Sequence, residues 1–176
     1  MIDPIDGTRA FVCGRPVFGT LVGLVDGTTP VAGLIDMPML DECYVGVGGK
    51  TVLNGAAATT SQVTSLARAR IASTAPEALL ADSFAAFNRM VDQAAITVYG
   101  GDCHNYALLA AGHLDLVLED GLATHDIMGV VEVVCGAGGI ITDKQGAPVS
   151  LDGTSSLLAA ATPALHAEAL RIVKAV

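Results

Sequence analysis

Tryptophan is absent from this 176-residue sequence, and aromatic residues make up only 4% of it. The core must therefore come from Ala, Val, Leu and Ile packed closely against glycine, which suits buried strands in an α/β or layered fold. Cations are also scarce: nine Lys and Arg stand against 18 Asp and Glu, a formal charge of −9. That balance argues against nucleic acid and anionic membranes as partners, because both need basic patches. It also opposes an anionic substrate unless cations intervene. Clustered carboxylates holding a divalent metal would reconcile the two, although on charge alone a plain acidic surface is the simpler reading.

Other absences narrow the chemistry. No apolar run reaches membrane length; the longest candidate, Ile127 to Ile141, is interrupted by Glu132 and studded with glycine. The opening residues do not read as a secretion signal. Cys13, Cys43, Cys103 and Cys135 lie far apart and form no Cys-x-x-Cys pair, so zinc and redox motifs are unsupported. Reduced, mostly buried thiols in a cytoplasmic protein are expected. There is no Ser-His-Asp or Cys-His nucleophile pattern. Gly136-Ala137-Gly138-Gly139 lacks the Lys-Ser/Thr of a nucleotide-binding loop and reads as a helix end.

What is present is an ordinary domain's worth of apolar sequence, 52% hydrophobic and 15% charged. Residues 10–60 read as three or four antiparallel strands, with turn signals at Asp26-Gly27 and Asn54-Gly55. Beyond about residue 66, strands alternate with helices, which predicts an α/β layer with helices on both faces. A helix with the stripe Leu79, Leu80, Phe84, Phe87, Met90 and Val91 is expected within residues 75–93. The best seam lies in residues 56–66, giving a β-rich unit 1–62 and an α/β unit 63–176.

Three clusters stand out. In Asp3-Pro4-Ile5-Asp6-Gly7-Thr8, a turn would aim two carboxylates and the Ile5 carbonyl at one point, a hard-oxygen set suited to Mg²⁺. Gly7 permits close backbone approach, and the N–H groups around Thr8 could hold a phosphate oxygen. Thr124-His125-Asp126 enters an almost wholly apolar helix. Asp126 there is either a metal ligand facing the helix dipole or a plain cap, whereas His125 is expected to be a packed or capping residue and not a ligand. Gly101-Asp102-Cys103 and Glu119-Asp120-Gly121 follow predicted strands, at the sheet edge where ligands bind. Asp102 by itself reads as a helix cap.

Together these stretches resemble the inositol monophosphatase superfamily of metal-dependent phosphatases. Asp3 to Thr8 is similar to its D-P-[IL]-D-G-T motif, and "THDIMGVVEVVCGAGGIITD" to its second, usually W-D-x-A-A followed by a helix and A-G-G. "IDGTRAFVCGRPVFGTLVGL" and "YGGDCHNYALLAAGHLDLVLE" most resemble the histidinol-phosphate phosphatase branch. The resemblance implies an αβαβα sandwich and hydrolysis of a small phosphorylated metabolite, histidinol phosphate ahead of inositol monophosphate. It implies Asp3, the Ile5 carbonyl, Asp6 and Asp126 as ligands of Mg²⁺, and Gly7 and Thr8 as the phosphate cradle. Asp3 would bridge the metals as a catalytic residue, the Thr8 hydroxyl would also touch the attacking water, and Asp102 and Glu119 would meet the rest of the substrate. A homodimer is also implied.

Two departures qualify it. His125 stands where Trp or Tyr is usual, and Met128-Gly129 where Ala-Ala is usual; Gly inside a helix costs about 1 kcal/mol relative to Ala. Family members also carry helices, opening strands and a glutamate pair ahead of the first motif. The sandwich is therefore expected without its N-terminal helices and first strands, with fewer metal ions and low activity. The alternative is a truncated, non-catalytic remnant or metal-binding module.

Overall fold

A computed structural model describes residues 1–153 and 155–176. Six strands, β1 (Ile2–Asp6), β2 (Gly19–Asp26), β3 (Thr29–Met37), β4 (Glu42–Val47), β5 (Lys50–Leu53) and β6 (Ala56–Ala58), make one antiparallel sheet in chain order. Asn54 at φ 49° and Gly55 at φ 83° supply the two left-handed residues that a two-residue hairpin needs. The sheet has more strands than the three or four expected. Five of them, β2 to β6, lie within residues 10–60, and β1 stands ahead of that stretch, where a turn was expected. The Asp3–Asp6 stretch is an edge strand with a register shift between those two residues, and Pro4 is tolerated there because an edge leaves its missing donor unneeded.

The second sheet holds β7 (Arg70–Ser73), β8 (Ile96–Tyr99), β9 (Leu116–Glu119), β10 (Ile140–Thr142) and β11 (Leu157–Ala160), in the order β10-β11-β9-β7-β8. β7 runs parallel to β8 and β9, and β11 antiparallel to β9 and β10. The helices are α1 (Thr8–Val12), α2 (Ala81–Val91), α3 (Cys103–Ala110), α4 (Thr124–Gly136) and α5 (Pro163–Val173).

Strand alternation assigns the layers. Val117 faces one way, into a core with Leu21, Ile35 and Tyr44 of the first sheet, Tyr106 and Leu109 of α3, and Ile127, Met128 and Val130 of α4. Leu116 and Leu118 face the other way, against Phe87 and Met90 of α2 and Leu165 and Ala169 of α5. The order is thus sheet, α3 and α4, sheet, α2 and α5, the layered α/β class expected. The face of the first sheet turned away from α4 exposes Ile2, Val22, Leu24 and Val47. Among the described residues, no helix is long and apolar enough to cross a membrane.

Two expectations need correction. The α2 stripe is shorter than its periodicity suggested. Leu80 is extended and its N–H is held by Asp120 Oδ2, so the helix begins at Ala81. Leu80 and Phe84 are 55% and 43% exposed, while Phe87 and Met90 are buried. The cysteines are all free, but only Cys103 is buried; Cys13 and Cys135 are exposed.

Glycine decides how α4 sits. Gly23, Gly33 and Gly46 are direct cross-strand partners on β2, β3 and β4. A Cβ on Gly33 would lie 2.4 Å from the Gly129 carbonyl oxygen, and one on Gly46 would lie 2.2 Å from that of Glu132. A Cβ on Gly129 would in turn lie 2.9 Å from Leu21 Cβ. The helix therefore rests on sheet backbone with no side-chain layer between. Gly129, counted above as a helix cost, is what permits this seat. The seat fixes the start of α4, where His125 and Asp126 stand.

Candidate active site

β1 and α1 meet at Gly7, whose φ of 77° turns the chain from strand to helix. Asp3 Oδ1 accepts the Ile5 N–H at 3.1 Å, a local turn that shapes the edge. Asp6 Oδ2 accepts the Cys103 N–H at 2.7 Å, linking β1 to the start of α3. At the start of α4, Asp126 Oδ2 accepts the Ala123 N–H at 2.8 Å. Its other oxygen lies 3.4 Å from His125 Nε2.

These elements and the carboxyl ends of β7 and β9 enclose a cleft of about 440 Å³. Asp3, Ile5, Asp6, Gly7, Thr8, Asp102, Glu119 and Asp126, the site residues that the resemblance implies, all line this one cleft. Ligand atoms of Asp3, His125 and Asp126 lie within 4.8 Å of one another, close enough to hold one ion. Asp6 is outside that group of three, turned to Cys103.

The electrostatics follow from crowding acids into partly dry space. Burial pushes Asp6 up to about 6; its hydrogen bonds to Cys103 oppose this, and Asp102 and Asp126 add to it. Burial also raises Asp126, as does the nearby Asp3, against the Ala123 N–H and His125. Asp102 is raised by burial, with Arg9 and Arg15 pulling the other way. Glu119 is pushed up to about 7 by burial, in spite of hydrogen bonds from Thr74 and Asn105. Burial is the leading cause at each of these acids, and their mutual repulsion adds to it. The oxygen-rich donor set suits a hard divalent ion.

Several details were not legible in advance. Asp102 precedes α3 at φ 48°, but its side chain makes no capping bond. The cap expected of it is supplied by Asp6, and the Asp102 carboxylate faces the cleft. Glu119 is held by the Thr74 hydroxyl and N–H, the Asn105 amide and the Tyr106 hydroxyl. Thr74 also accepts the Asp102 N–H at 3.0 Å. Its position just past a parallel strand was the signal that could have found it. His125 is neither packed nor capping: its side chain is 49% exposed and its Nε2 faces Asp126.

The sequence model of the inositol monophosphatase family matches residues 1–176. The chain belongs to this family. It is 42% identical over 160 residues to the Arabidopsis thaliana protein named bifunctional phosphatase IMPL2, chloroplastic, over 90% of this chain and 46% of that one. It is 33% identical to a Chlorobaculum parvum histidinol-phosphatase, over 87% of this chain and 60% of that one. The chain thus spans less than two thirds of the length of these curated relatives. Among solved structures, an inositol monophosphatase from Zymomonas mobilis superposes with a TM-score of 0.95 at 40% identity, over 98% of this chain and 69% of that one. The two-sheet arrangement around the cleft is therefore that of an inositol monophosphatase fold.

Proposed function

We propose that this chain carries the metal and phosphate site of a Mg²⁺-dependent phosphomonoesterase. Its substrate is a small phosphorylated metabolite, histidinol phosphate first. The observation that carries this reading is the convergence of Asp3, Asp6, Asp102, Glu119 and Asp126 on one cleft with few cations to match. Such a wall repels a phosphate monoester unless divalent cations neutralise it.

In this reading Asp3 and Asp126 hold Mg²⁺, with Asp6 and the Ile5 carbonyl completing the oxygen set. When bound, Mg²⁺ neutralises phosphoryl charge and activates water. Backbone N–H groups at Gly7 and Thr8 receive the phosphate, and the Thr8 hydroxyl orients the attacking water. Asp102 and Glu119, which line the same cleft, receive the hydroxyl or ammonium of the leaving alcohol. No side-chain nucleophile is required.

Histidinol phosphate is favoured because a relative at 33% identity is named histidinol-phosphatase and because the acidic wall at Asp102 suits an ammonium. Inositol monophosphate is the second reading, supported by the likeness to the Zymomonas mobilis protein. Phosphate release from both substrates, with and without Mg²⁺, tests the choice. Mg²⁺-dependent turnover of histidinol phosphate at a higher kcat/KM, lost in Asp126→Asn, is expected. A higher kcat/KM on inositol monophosphate would reverse the order. Absence of Mg²⁺ binding and of turnover on either substrate would leave a non-catalytic module.

A further inference from the structure

One of the cleft's residues, His125, offers a nitrogen donor beside the carboxylates. His125 is the first-turn neighbour of Asp126 on α4, and its Nε2 lies 3.4 Å from Asp126 Oδ1. That is long for a hydrogen bond to a charged acceptor. It is close to the spacing of two neighbouring ligands on one ion: ligands at about 2.1 Å in an octahedral shell lie about 3.0 Å apart along an edge. Asp3 completes the set from β1, with all three ligand atoms within 4.8 Å of one another. The imidazole is half exposed and packs into no core, so it can adjust by side-chain rotation alone. The backbone beneath it cannot drift, because α4 is seated on Gly23, Gly33 and Gly46.

We propose that His125 Nε2 is a ligand of the divalent ion held by Asp3 and Asp126, giving this site one nitrogen donor. The inference rests on reading the carboxylate cluster as a metal site. Mg²⁺ gains little from imidazole, whereas later first-row ions such as Co²⁺ and Zn²⁺ accept it readily. The site therefore prefers a borderline first-row ion over Mg²⁺ more strongly than an all-oxygen set would.

The test uses Co²⁺ and Mg²⁺ as probes on the 176-residue protein, with affinities from calorimetry and the Co²⁺ visible spectrum as a second readout. His125→Phe is expected to weaken Co²⁺ about tenfold or more, to change Mg²⁺ affinity about twofold or less, and to alter the Co²⁺ bands. Pulsed electron paramagnetic resonance of the Mn²⁺-loaded wild type should show coupling to an imidazole nitrogen; this measurement does not depend on the variant folding. Asp126→Asn separates the two levels of the argument. Loss of Co²⁺ in Asp126→Asn, with no change in His125→Phe and no nitrogen coupling, overturns the role of His125 and leaves the metal site standing. Unchanged Co²⁺ binding in Asp126→Asn overturns the metal site itself, and the inference falls with it.

Discussion

The Asp6 carboxylate accepts the Cys103 backbone N–H at 2.7 Å across 97 residues of chain. Cys103 opens α3, so this N–H is one of the donors that every helix leaves unpaired. Asp6 thus caps a helix from another sheet while facing the cleft, which makes β1 part of the scaffold as well as the site. Asp6→Ala leaves that buried amide alone and is expected to lower stability by about 1–3 kcal/mol. Asp6→Asn keeps an acceptor and removes a charge that burial disfavours, so its metal-free melting temperature should equal or exceed the wild type's. Thermal unfolding in chelator distinguishes these outcomes; equal losses in both variants would show that the hydrogen bond is unimportant.

Gly33→Ala tests the seating of α4. The new methyl group would lie 2.4 Å from a helix carbonyl oxygen, and backbone cannot yield as a side-chain tip can. A loss of about 3 kcal/mol or more is expected. Gly27→Ala is the control: nothing lies within 4 Å, and only the left-handed φ of 60° is strained, for a cost of about 1 kcal/mol. Urea unfolding midpoints should rank the two in that order.

Most of the architecture was legible because its signals are local. The hairpin at Asn54-Gly55, the Pro163 helix start and the buried runs of β9 and β11 each depend on a few adjacent residues. The members of the cleft were legible for the same reason, as motif residues at strand ends. Relations between distant segments were not. Nothing near Asp6 in sequence names Cys103 as its partner, and nothing near Asp102 shows that its capping role has been taken. Gly23, Gly33 and Gly46 read singly as weak points in strands; only the register shows them as a groove for α4. His125 reads as a packed or capping residue because no second His or Cys stands at a metal spacing from it, and only the fold sets its Nε2 beside Asp126.

Glu119 predicts a pH dependence. Its folded value of about 7 lies above the ordinary 4.5, so the folded state holds this proton more tightly than the unfolded chain. Its effect on stability is absent below the unfolded value, grows unfavourable as pH rises from there, and is complete above about 7. Glu119→Gln keeps acceptors for Thr74 and Asn105 and removes the titration. Melting temperatures across this range should fall more steeply with pH in the wild type than in Glu119→Gln. Parallel curves would mean that Glu119 is ionised throughout.

Asp126→Asn joins stability to function. The Asp126 carboxylate is half buried, raised by burial and by its neighbour Asp3, and held on one oxygen by the Ala123 N–H. An asparagine can keep that hydrogen bond through its carbonyl oxygen while removing the charge. The metal-free variant should therefore melt no lower than the wild type. Mg²⁺ at about 100 times its dissociation constant stabilises a protein that binds it only when folded by about 2.7 kcal/mol. The wild type should show this rise, and Asp126→Asn should lose most of it together with Mg²⁺-dependent phosphate release. If Mg²⁺ raises both melting temperatures equally, the ion sits elsewhere. If the variant unfolds at lower temperature without metal, Asp126 serves α4 as a structural cap. The expected pairing, a stability equal or higher without metal and a response lost with it, is the mark of carboxylates placed for a cation and not for the fold.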